Sequence, residues 1–220
     1  MSQLNKFSLD DCAAALEKSG VPPVSQLVTY MQLLLERNEK INLTGAKNPA
    51  EFASKHIADV WRAYQVIGKL SSYVADVGSG GGIPGIILGI ISPKTSVTLV
   101  ERRHKKASTL SSIISQLELD QRIKVVARSF EEVKGFNEST EYWFRGFLPG
   151  PKLAAYVSEF FPRADLGQLV LMKGPAWPRE KLDIMNAPKV KDVWKERFAG
   201  AAELSYSLSR GIGERLLVIV

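Results

Sequence analysis

The 220-residue chain has one cysteine, two histidines and no long apolar run, and each scarcity excludes a class of protein. Cys12 alone cannot form an intramolecular disulfide or a cysteine metal site, and His56 and His104 are not at metal-ligand spacing. We therefore expect no bound metal. Apolar runs such as residues 83–91 are short and contain proline or glycine, so we expect no membrane span. The first residues lack the apolar core of a secretory signal, so we expect a cytoplasmic protein.

Glycine, by contrast, is concentrated: five glycines lie within residues 78–85, directly after the buried strand pattern at 74–77. This pattern predicts a loop whose backbone approaches a ligand closely, followed by a helix with free N–H groups. Residues 80–85 formally match the Gly-x-Gly-x-x-Gly dinucleotide fingerprint. Asp76, however, places a carboxylate beside the loop, which suits the amino and sulfonium groups of S-adenosylmethionine better than a pyrophosphate.

A second strand pattern, at residues 97–100, leads directly into Glu101. In doubly wound folds an acidic residue about 20 positions after the first glycine accepts hydrogen bonds from ribose hydroxyls. S-adenosylmethionine and NAD both carry such a ribose, so Glu101 indicates a nucleoside ligand without choosing between them. The basic run at residues 102–106 follows at once, and a basic rim beside a ligand site would attract a polyanion such as RNA. The formal net charge of the whole chain, +6, is also positive, which favours binding of a polyanion.

Strand and helix patterns alternate after residue 73, and the chain closes with two consecutive strand patterns. Further strands are expected at 124–127, 142–144, 168–173, 204–208 and 215–220, and helices at 103–117, 150–161 and 178–186. This order predicts an α/β, Rossmann-like class I methyltransferase fold with a seven-stranded, mostly parallel sheet and an antiparallel C-terminal hairpin. Because helix patterns fill the first part, we expect an N-terminal helical extension at 1–68 and a methyltransferase core at 69–220, in one compact unit.

Residues needed for two common methyl-transfer chemistries are missing. Cys12 lies in an N-terminal helix pattern, far from the expected site, so it is not a nucleophile for transfer to cytosine C5. Asn48-Pro49-Ala50 is not the Asn-Pro-Pro-aromatic turn used for exocyclic amines. N7 of guanine carries a lone pair and no proton, so transfer to it requires positioning rather than a general base. The sequence is consistent with that acceptor.

Three segments, in order, resemble the signatures of the RsmG (GidB) family: Asn42-Leu43-Thr44, His56-Ile57-x-Asp59, and Asp76 through Ile86. Later blocks also match, namely Glu101 with its basic run, Arg128 before Glu131, Arg145, Lys173-Gly174 and Arg215 through Ile219. Proteins of that family are S-adenosylmethionine-dependent methyltransferases of guanine N7 in bacterial 16S ribosomal RNA. The resemblance therefore implies this cofactor and reaction, with 16S ribosomal RNA or the small ribosomal subunit as partner; we expect a monomer.

The resemblance also assigns residues to roles. The cofactor pocket is expected at Asp76, Gly78, Ser79, Gly80, Gly82, Glu101, Phe130, Glu131 and Arg145. Contacts to RNA are expected at Asn42, Thr44, Arg103, Lys105, Lys106, Arg128, Lys173 and Arg215. Asn42 and Thr44 could instead cap a turn against the cofactor loop, which is a purely structural role. Arg145, with its planar fork of donors, is the catalytic candidate, expected beneath the methionine end of the cofactor and beside the acceptor. Trp143, Phe144 and Phe147 flank it and could stack on a base, although core packing is the default expectation for aromatic residues. His56 and Asp59 share a helix face and could form a buried polar pair.

Other functions stay open on the sequence alone. Phe144 and Gly146 stand where the family has serine and alanine, and one extra residue separates Arg128 from Phe130-Glu131, so a different nucleic-acid or small-molecule acceptor is an alternative. An NAD-dependent oxidoreductase would also use the glycine motif, although Asp76 and the closing strand pair disfavour it. A non-catalytic RNA-binding protein of the same fold would bind RNA without binding the cofactor.

Overall fold

One seven-stranded sheet organises the described residues, 6–136, 138–208 and 213–220, of the computed structural model. Its strands are β1 Tyr73–Val77, β2 Ser96–Val100, β3 Ile123–Val126, β4 Thr140–Arg145, β5 Leu169–Lys173, β6 Ala202–Leu208 and β7 Gly213–Ile219. The order across the sheet is β3-β2-β1-β4-β5-β7-β6, and β7 alone runs against its neighbours. The predicted Rossmann-like α/β fold with an antiparallel C-terminal hairpin is confirmed.

Helices cover both faces of this sheet. They are α1 Leu9–Lys18, α2 Ser25–Asn38, α3 Pro49–Phe52, α4 Ala58–Ile67, α5 Gly85–Ile91, α6 His104–Gln116, α7 Gly150–Phe160, α8 Trp177–Asn186 and α9 Asp192–Ala199. A π turn, Ala53–Ile57, joins α3 to α4, and a 3-10 turn spans Phe130–Glu132. Helix α9 was not predicted from the sequence, because an eight-residue helix with two buried residues, Trp194 and Phe198, shows almost no apolar period.

Side chains alternate across each strand, so the two sheet faces bury different residues. In β1, Val74 packs in one apolar cluster with residues of α1, α2, α4, α5 and α6. Ala75 and Val77 pack in a second cluster with residues of α7, α8 and α9. The helices before residue 68 therefore bury the same sheet face as α5 and α6 and share its core. The boundary at residue 68 stays a prediction.

Within the described ranges, no helix combines the length and the apolar character that crossing a bilayer requires. The same ranges hold no group of three or more histidine, cysteine or carboxylate side chains placed to bind a metal ion.

Candidate active site

The carboxyl ends of the parallel strands meet at one edge of the sheet, and the predicted site residues lie along it. The glycine-rich loop follows β1, Glu101 follows β2, Arg128 follows β3, Arg145 ends β4, Lys173 ends β5, and Arg215 lies near the start of the antiparallel β7. Ligands of open α/β sheets bind in the crevice at this edge. Residues that are far apart in sequence are thus brought to one side of the molecule.

The glycine-rich loop, residues 78–85, is held against the end of β2. The N–H groups of Gly78 and Ser79 donate to the carbonyl of Val100, at 2.9 and 3.1 Å. Gly78, Gly80 and Gly82 have φ values of +75°, +57° and +82°, in the left-handed region that favours glycine. The loop therefore needs its glycines for its own backbone path, whatever ligand it binds.

Gly85 has a different role from the other loop glycines, because it lies at the start of α5 where the helix meets the sheet. A Cβ atom on Gly85 would lie 2.2 Å from Cδ2 of Leu99 and 2.8 Å from the carboxylate of Asp76. Both neighbours are buried. The last glycine of the motif thus allows close packing of helix on strand rather than contact with a ligand.

Asp76 lies beneath the loop, with 1% of its surface exposed. Its Oδ2 accepts a hydrogen bond from the N–H of Gly85 at 2.9 Å, and its buried Oδ1 has no partner among the described residues. Burial raises the pKa of Asp76 to about 7, although the bonds from Gly85 and Ser79 lower it. Asp76 thus lies beside the loop, as expected, but its carboxyl group is covered by the loop and does not present an exposed charge at the loop's mouth.

Glu101 connects the loop to the helix that follows β2. Its Oε2 accepts from the N–H of Gly80 at 3.0 Å, and its Oε1 accepts from the N–H of Arg103 at 2.8 Å. These two bonds fix the carboxylate at the strand end. Each carboxylate oxygen can accept a further bond, so Glu101 keeps acceptor capacity at the cleft that it lines.

A cleft of about 460 Å³ opens at this edge of the sheet. Among its lining residues are the predicted cofactor residues Gly78, Gly80, Glu101, Phe130 and Glu131, and the predicted RNA contacts Arg103, Lys106 and Arg128. Asp76, Ser79, Gly82 and Arg145 do not line it. Ser79 instead donates from Oγ to the carbonyl of Asp76 at 2.9 Å, which stabilises the loop from below.

Part of the cleft wall was not predicted from the sequence. Arg102, Leu148 and Tyr156 also line it, and Tyr156 donates its hydroxyl to Glu131. Arg102 could have been included, since it belongs to the basic run. No sequence pattern marks Leu148, in the loop before α7, or Tyr156, in α7, as cleft residues. They reach the cleft only because of how α7 packs on the sheet.

Of the three aromatic residues around Arg145, two are core residues. Trp143 and Phe144 are buried, because β4 is a central strand covered on both faces, so core packing, the default expectation for these aromatic residues, holds for both. Phe147 is half-buried and lines the cleft, with its Cδ2 2.5 Å from where a Cβ of Gly78 would be. Phe147 is therefore the one member of the trio at the cleft.

Arg145 is bound to a carboxylate of the N-terminal helices. Its Nε and Nη2 each lie 3.0 Å from Oδ2 of Asp59, and Nη2 also donates to the carbonyl of Lys55 at 3.0 Å. Tyr206 of β6 donates its hydroxyl to the other oxygen of Asp59 at 2.8 Å. The guanidinium group thus lies on the sheet face that carries α4, outside the cleft.

The buried polar pair of His56 and Asp59 does not exist. His56 Nε2 instead lies 2.9 Å from Thr44 Oγ1, and burial, with a smaller effect of Arg145, lowers the pKa of His56 to about 4. The imidazole is therefore neutral at physiological pH. Thr44 is buried, whereas Asn42 is exposed, so only Asn42 of these two predicted RNA contacts is accessible.

The remaining predicted RNA contacts differ in how accessible they are. Arg103, Lys105 and Arg128 are exposed, Lys106 is half-buried, and Arg215 is half-buried beside Gly174. The Lys173 side chain is only 11% exposed, and its ammonium group forms an ion pair with Glu180 at 2.7 Å. Among these predicted contacts, the accessible positive charge thus lies mainly where α6 begins and where β3 ends.

Comparisons with known proteins agree with this architecture. Residues 24–203 match the family model described as GidB, rRNA small subunit methyltransferase G. Two curated relatives carry the name ribosomal RNA small subunit methyltransferase G. The one from Nitrosospira multiformis is 34% identical over 72% of this chain and 74% of its own length. The one from Paracoccus denitrificans is 32% identical over 70% and 78%.

Solved structures share the fold at low sequence identity. An O-methyltransferase of neocarzinostatin biosynthesis, in complex with S-adenosyl-L-homocysteine, has a TM-score of 0.52 and 14% identity, and covers 96% of this chain and 67% of its own. A proposed O-methyltransferase from Klebsiella pneumoniae also has a TM-score of 0.52 and 14% identity, with coverages of 87% and 89%. The family match spans most of the chain, so this chain belongs to the GidB family, rRNA small subunit methyltransferase G.

Proposed function

We propose that this chain transfers a methyl group from S-adenosylmethionine to N7 of a guanine in 16S ribosomal RNA. Family membership supports the reaction class and the cofactor. The observation that carries the proposal is the cleft at the ends of β1 and β2, where Glu101 joins the glycine-rich loop to a strongly basic helix start. A nucleoside site and a surface for a polyanion therefore lie side by side.

The cofactor fits the residues at this cleft. Gly80 leaves the backbone open to close approach, because a Cβ there would meet only the carbonyl of Gly78 within 4 Å, whereas Phe147 packs against Gly78. Glu101 has acceptor capacity for ribose hydroxyls. Phe130 and Glu131 line the same cleft and are assigned to the adenine end. When bound, the cofactor supplies a methyl group on a positively charged sulfur, which leaves as a neutral thioether when N7 attacks. Asp76, beneath the loop, offers its unpartnered Oδ1 as an acceptor on this side of the site.

The residues around the cleft are suited to positioning an acceptor rather than to moving a proton. N7 of guanine has no proton to lose, so alignment of the lone pair with the methyl group is the main requirement. Phe147 is the half-buried aromatic side chain next to Gly78, and we assign it contact with the base. We assign Arg145 to the acceptor side of the loop, where it orients the RNA rather than the methionine end of the cofactor.

The RNA would lie across the exposed basic residues. Arg103, Lys105, Lys106 and Arg128 border the cleft or follow directly from it, and such side chains bind phosphates with release of counterions. Asn42 and Arg215 extend this surface on the other side of the loop. Ribosomal RNA as substrate implies a cytoplasmic enzyme, and we propose that it acts as a monomer.

Two measurements test the proposal in sequence. Calorimetric titrations with S-adenosylmethionine, S-adenosylhomocysteine and NAD should give binding of the first two only. Methylation of purified 16S RNA and of small subunits should then give chain scission at one guanine after borohydride and aniline treatment, which reports N7-methylguanosine. Binding of NAD alone would reject the methyltransferase assignment, and methylation without scission would reject N7.

A matched pair of variants tests the cofactor cleft. Glu101→Gln removes the charge that accepts from Gly80 and Arg103, and should weaken donor binding about tenfold, as loss of a charged hydrogen bond does. Glu17→Gln makes the same change on the exposed surface of α1 and should leave the affinity unchanged. Equal affinities in the two variants would place the cofactor elsewhere.

A further inference from the structure

One polar cluster at the site edge is not explained by the cofactor cleft. It consists of Arg145 at the end of β4, Asp59 in α4, Tyr206 in β6 and the carbonyl of Lys55 in the π turn. Asp59 is 4% exposed, and its two oxygens accept from different elements of the fold. We call this group of four the arginine bracket.

The bracket restrains one side of the guanidinium group. Nε and Nη2 of Arg145 are directed at Oδ2 of Asp59, and Nη2 is also directed at the carbonyl of Lys55. None of the hydrogen bonds among the described residues uses Nη1, so this nitrogen keeps its two donors. A guanidinium group held along one edge is oriented in its plane, and its free edge can then recognise an acceptor such as a phosphate or a base.

Asp59 in turn is held by a second partner. Tyr206 donates to Oδ1 of Asp59, and burial together with the charge of Asp59 raises the pKa of this tyrosine well above its usual value. The hydroxyl therefore stays protonated and can act only as the donor in this pair. Asp59 is thus fixed from both sides, by Arg145 at one oxygen and by Tyr206 at the other.

A buried ion pair is weak evidence of a role in stability, because well-packed apolar residues in its place are often as stable. We propose that Asp59 and Tyr206 are positioning residues, which orient Arg145 for the RNA acceptor. This inference rests on the proposed function, in which Arg145 lies on the acceptor side. The proposal explains why the His-Ile-x-Asp segment ends in Asp59. It also makes turnover depend on one residue of the N-terminal helices, Asp59, and one of the C-terminal hairpin, Tyr206.

The mildest test removes one hydroxyl. Tyr206→Phe keeps the ring in the core and should lower kcat about tenfold, while the affinity for S-adenosylmethionine changes less than about twofold. Tyr73→Phe, on an exposed tyrosine at the opposite edge of the sheet, is the matched control and should leave both values unchanged. A Tyr206→Phe enzyme with wild-type kcat would overturn the proposal.

A double-mutant cycle separates positioning from packing. Asp59→Asn and Arg145→Ala should each lower kcat, and the double variant should be no slower than Arg145→Ala alone, because Asp59 acts through the arginine. Additive losses would overturn the proposal, as would full activity of Arg145→Ala. If Asp59→Asn does not fold, Tyr206→Phe replaces it in the same cycle.

A third measurement does not depend on activity. The Nε–H signal of Arg145, assigned by its absence in Arg145→Lys, should exchange with water about ten times more slowly in the wild type than in Asp59→Asn. Fast exchange in the wild type would overturn the bracket. Slow exchange in a protein that does not methylate ribosomal RNA would support the bracket and reject the proposed function instead.

Discussion

At the scale of single residues, Asp76 shows how burial can change the role of a charge. The folded protein raises the pKa of this carboxyl from 3.8 to about 7 through desolvation, so the folded state binds a proton more tightly than the unfolded state. Its contribution to stability is therefore complete below about pH 4 and is lost as the pH rises through about 7. The loss approaches about 4 kcal/mol, from about 1.4 kcal/mol for each pKa unit.

This dependence can be isolated with one substitution. The free energy of unfolding of the wild type, relative to that of Asp76→Asn, should fall as the pH is raised from about 4 to about 8. Urea unfolding at several pH values measures it, and the asparagine variant removes the contributions of all other groups. A difference that is constant or rises with pH would show that Asp76 ionises normally in the folded protein.

Gly85 supports a second prediction at this scale. Gly85→Ala would place a methyl group against Leu99 and Asp76, and overpacking of this kind destabilises by about 1–3 kcal/mol. Gly45→Ala is the matched control, because a Cβ there has no neighbour within 4 Å. Thermal unfolding of the two variants should show a lower Tm for Gly85→Ala only. Equal Tm values would mean that the start of α5 can move to accommodate the methyl group.

At the scale of elements, α6 begins with an arrangement that costs stability. Its first turn carries His104, Lys105 and Lys106, with no acidic residue and no side-chain cap. Cations at a helix N-terminus oppose the helix dipole by about 0.3–1 kcal/mol each. Because these charges do not help the helix to form, a function in binding explains their presence better than a role in folding. This supports the RNA surface proposed at this position.

Neutralising these charges should therefore weaken RNA binding without lowering the stability of the fold. Lys105→Ala with Lys106→Ala should keep or raise the Tm, and it should reduce the slope of log affinity against log salt by about 0.7 for each lost phosphate contact. Lys69→Ala with Lys94→Ala, at the opposite edge of the sheet, is the control and should leave the slope unchanged. If the two pairs gave the same slope, the RNA would bind at another surface.

The same scale shows what local sequence can and cannot predict. The glycine-rich loop and Glu101 could be predicted, because their chemistry depends on a strand, a turn and a spacing that the sequence displays directly. The choice between core packing, the default, and base stacking for Phe144 could not be decided, since the burial of Phe144 depends on β4 lying in the middle of the sheet. The role of Tyr206 could not be predicted either, because its partner Asp59 lies in a different part of the chain.

At the scale of the whole molecule, the N-terminal helices are part of the core that covers one face of the sheet. Tyr30 of α2 donates its hydroxyl to the carbonyl of Gly81 at 2.7 Å, and a Cβ on Gly81 would lie 2.9 Å from the carbonyl oxygen of Leu43. The glycine-rich loop is thus supported from behind by residues of the predicted extension. We propose that residues 1–68 and 69–220 fold as one unit.

A truncation tests this unit. Residues 69–220 alone would expose the apolar face now covered by α1, α2 and α4, so we expect no cooperative thermal transition, strong binding of a hydrophobic dye and no binding of S-adenosylmethionine. The full chain, prepared in the same way, is the control. Cooperative unfolding and donor binding by the shorter chain would show that the extension folds separately.

The bond between Tyr206 and Asp59 also has a consequence for the order of assembly. It joins residues 147 positions apart, and it ties an outermost strand of the sheet to a helix near the start of the chain. Closing so long a loop has an entropic cost that contacts already formed must offset, so such pairings come late in folding. We therefore expect the cofactor cleft to form before Arg145 is oriented, which would make readiness for the acceptor one of the last steps of folding.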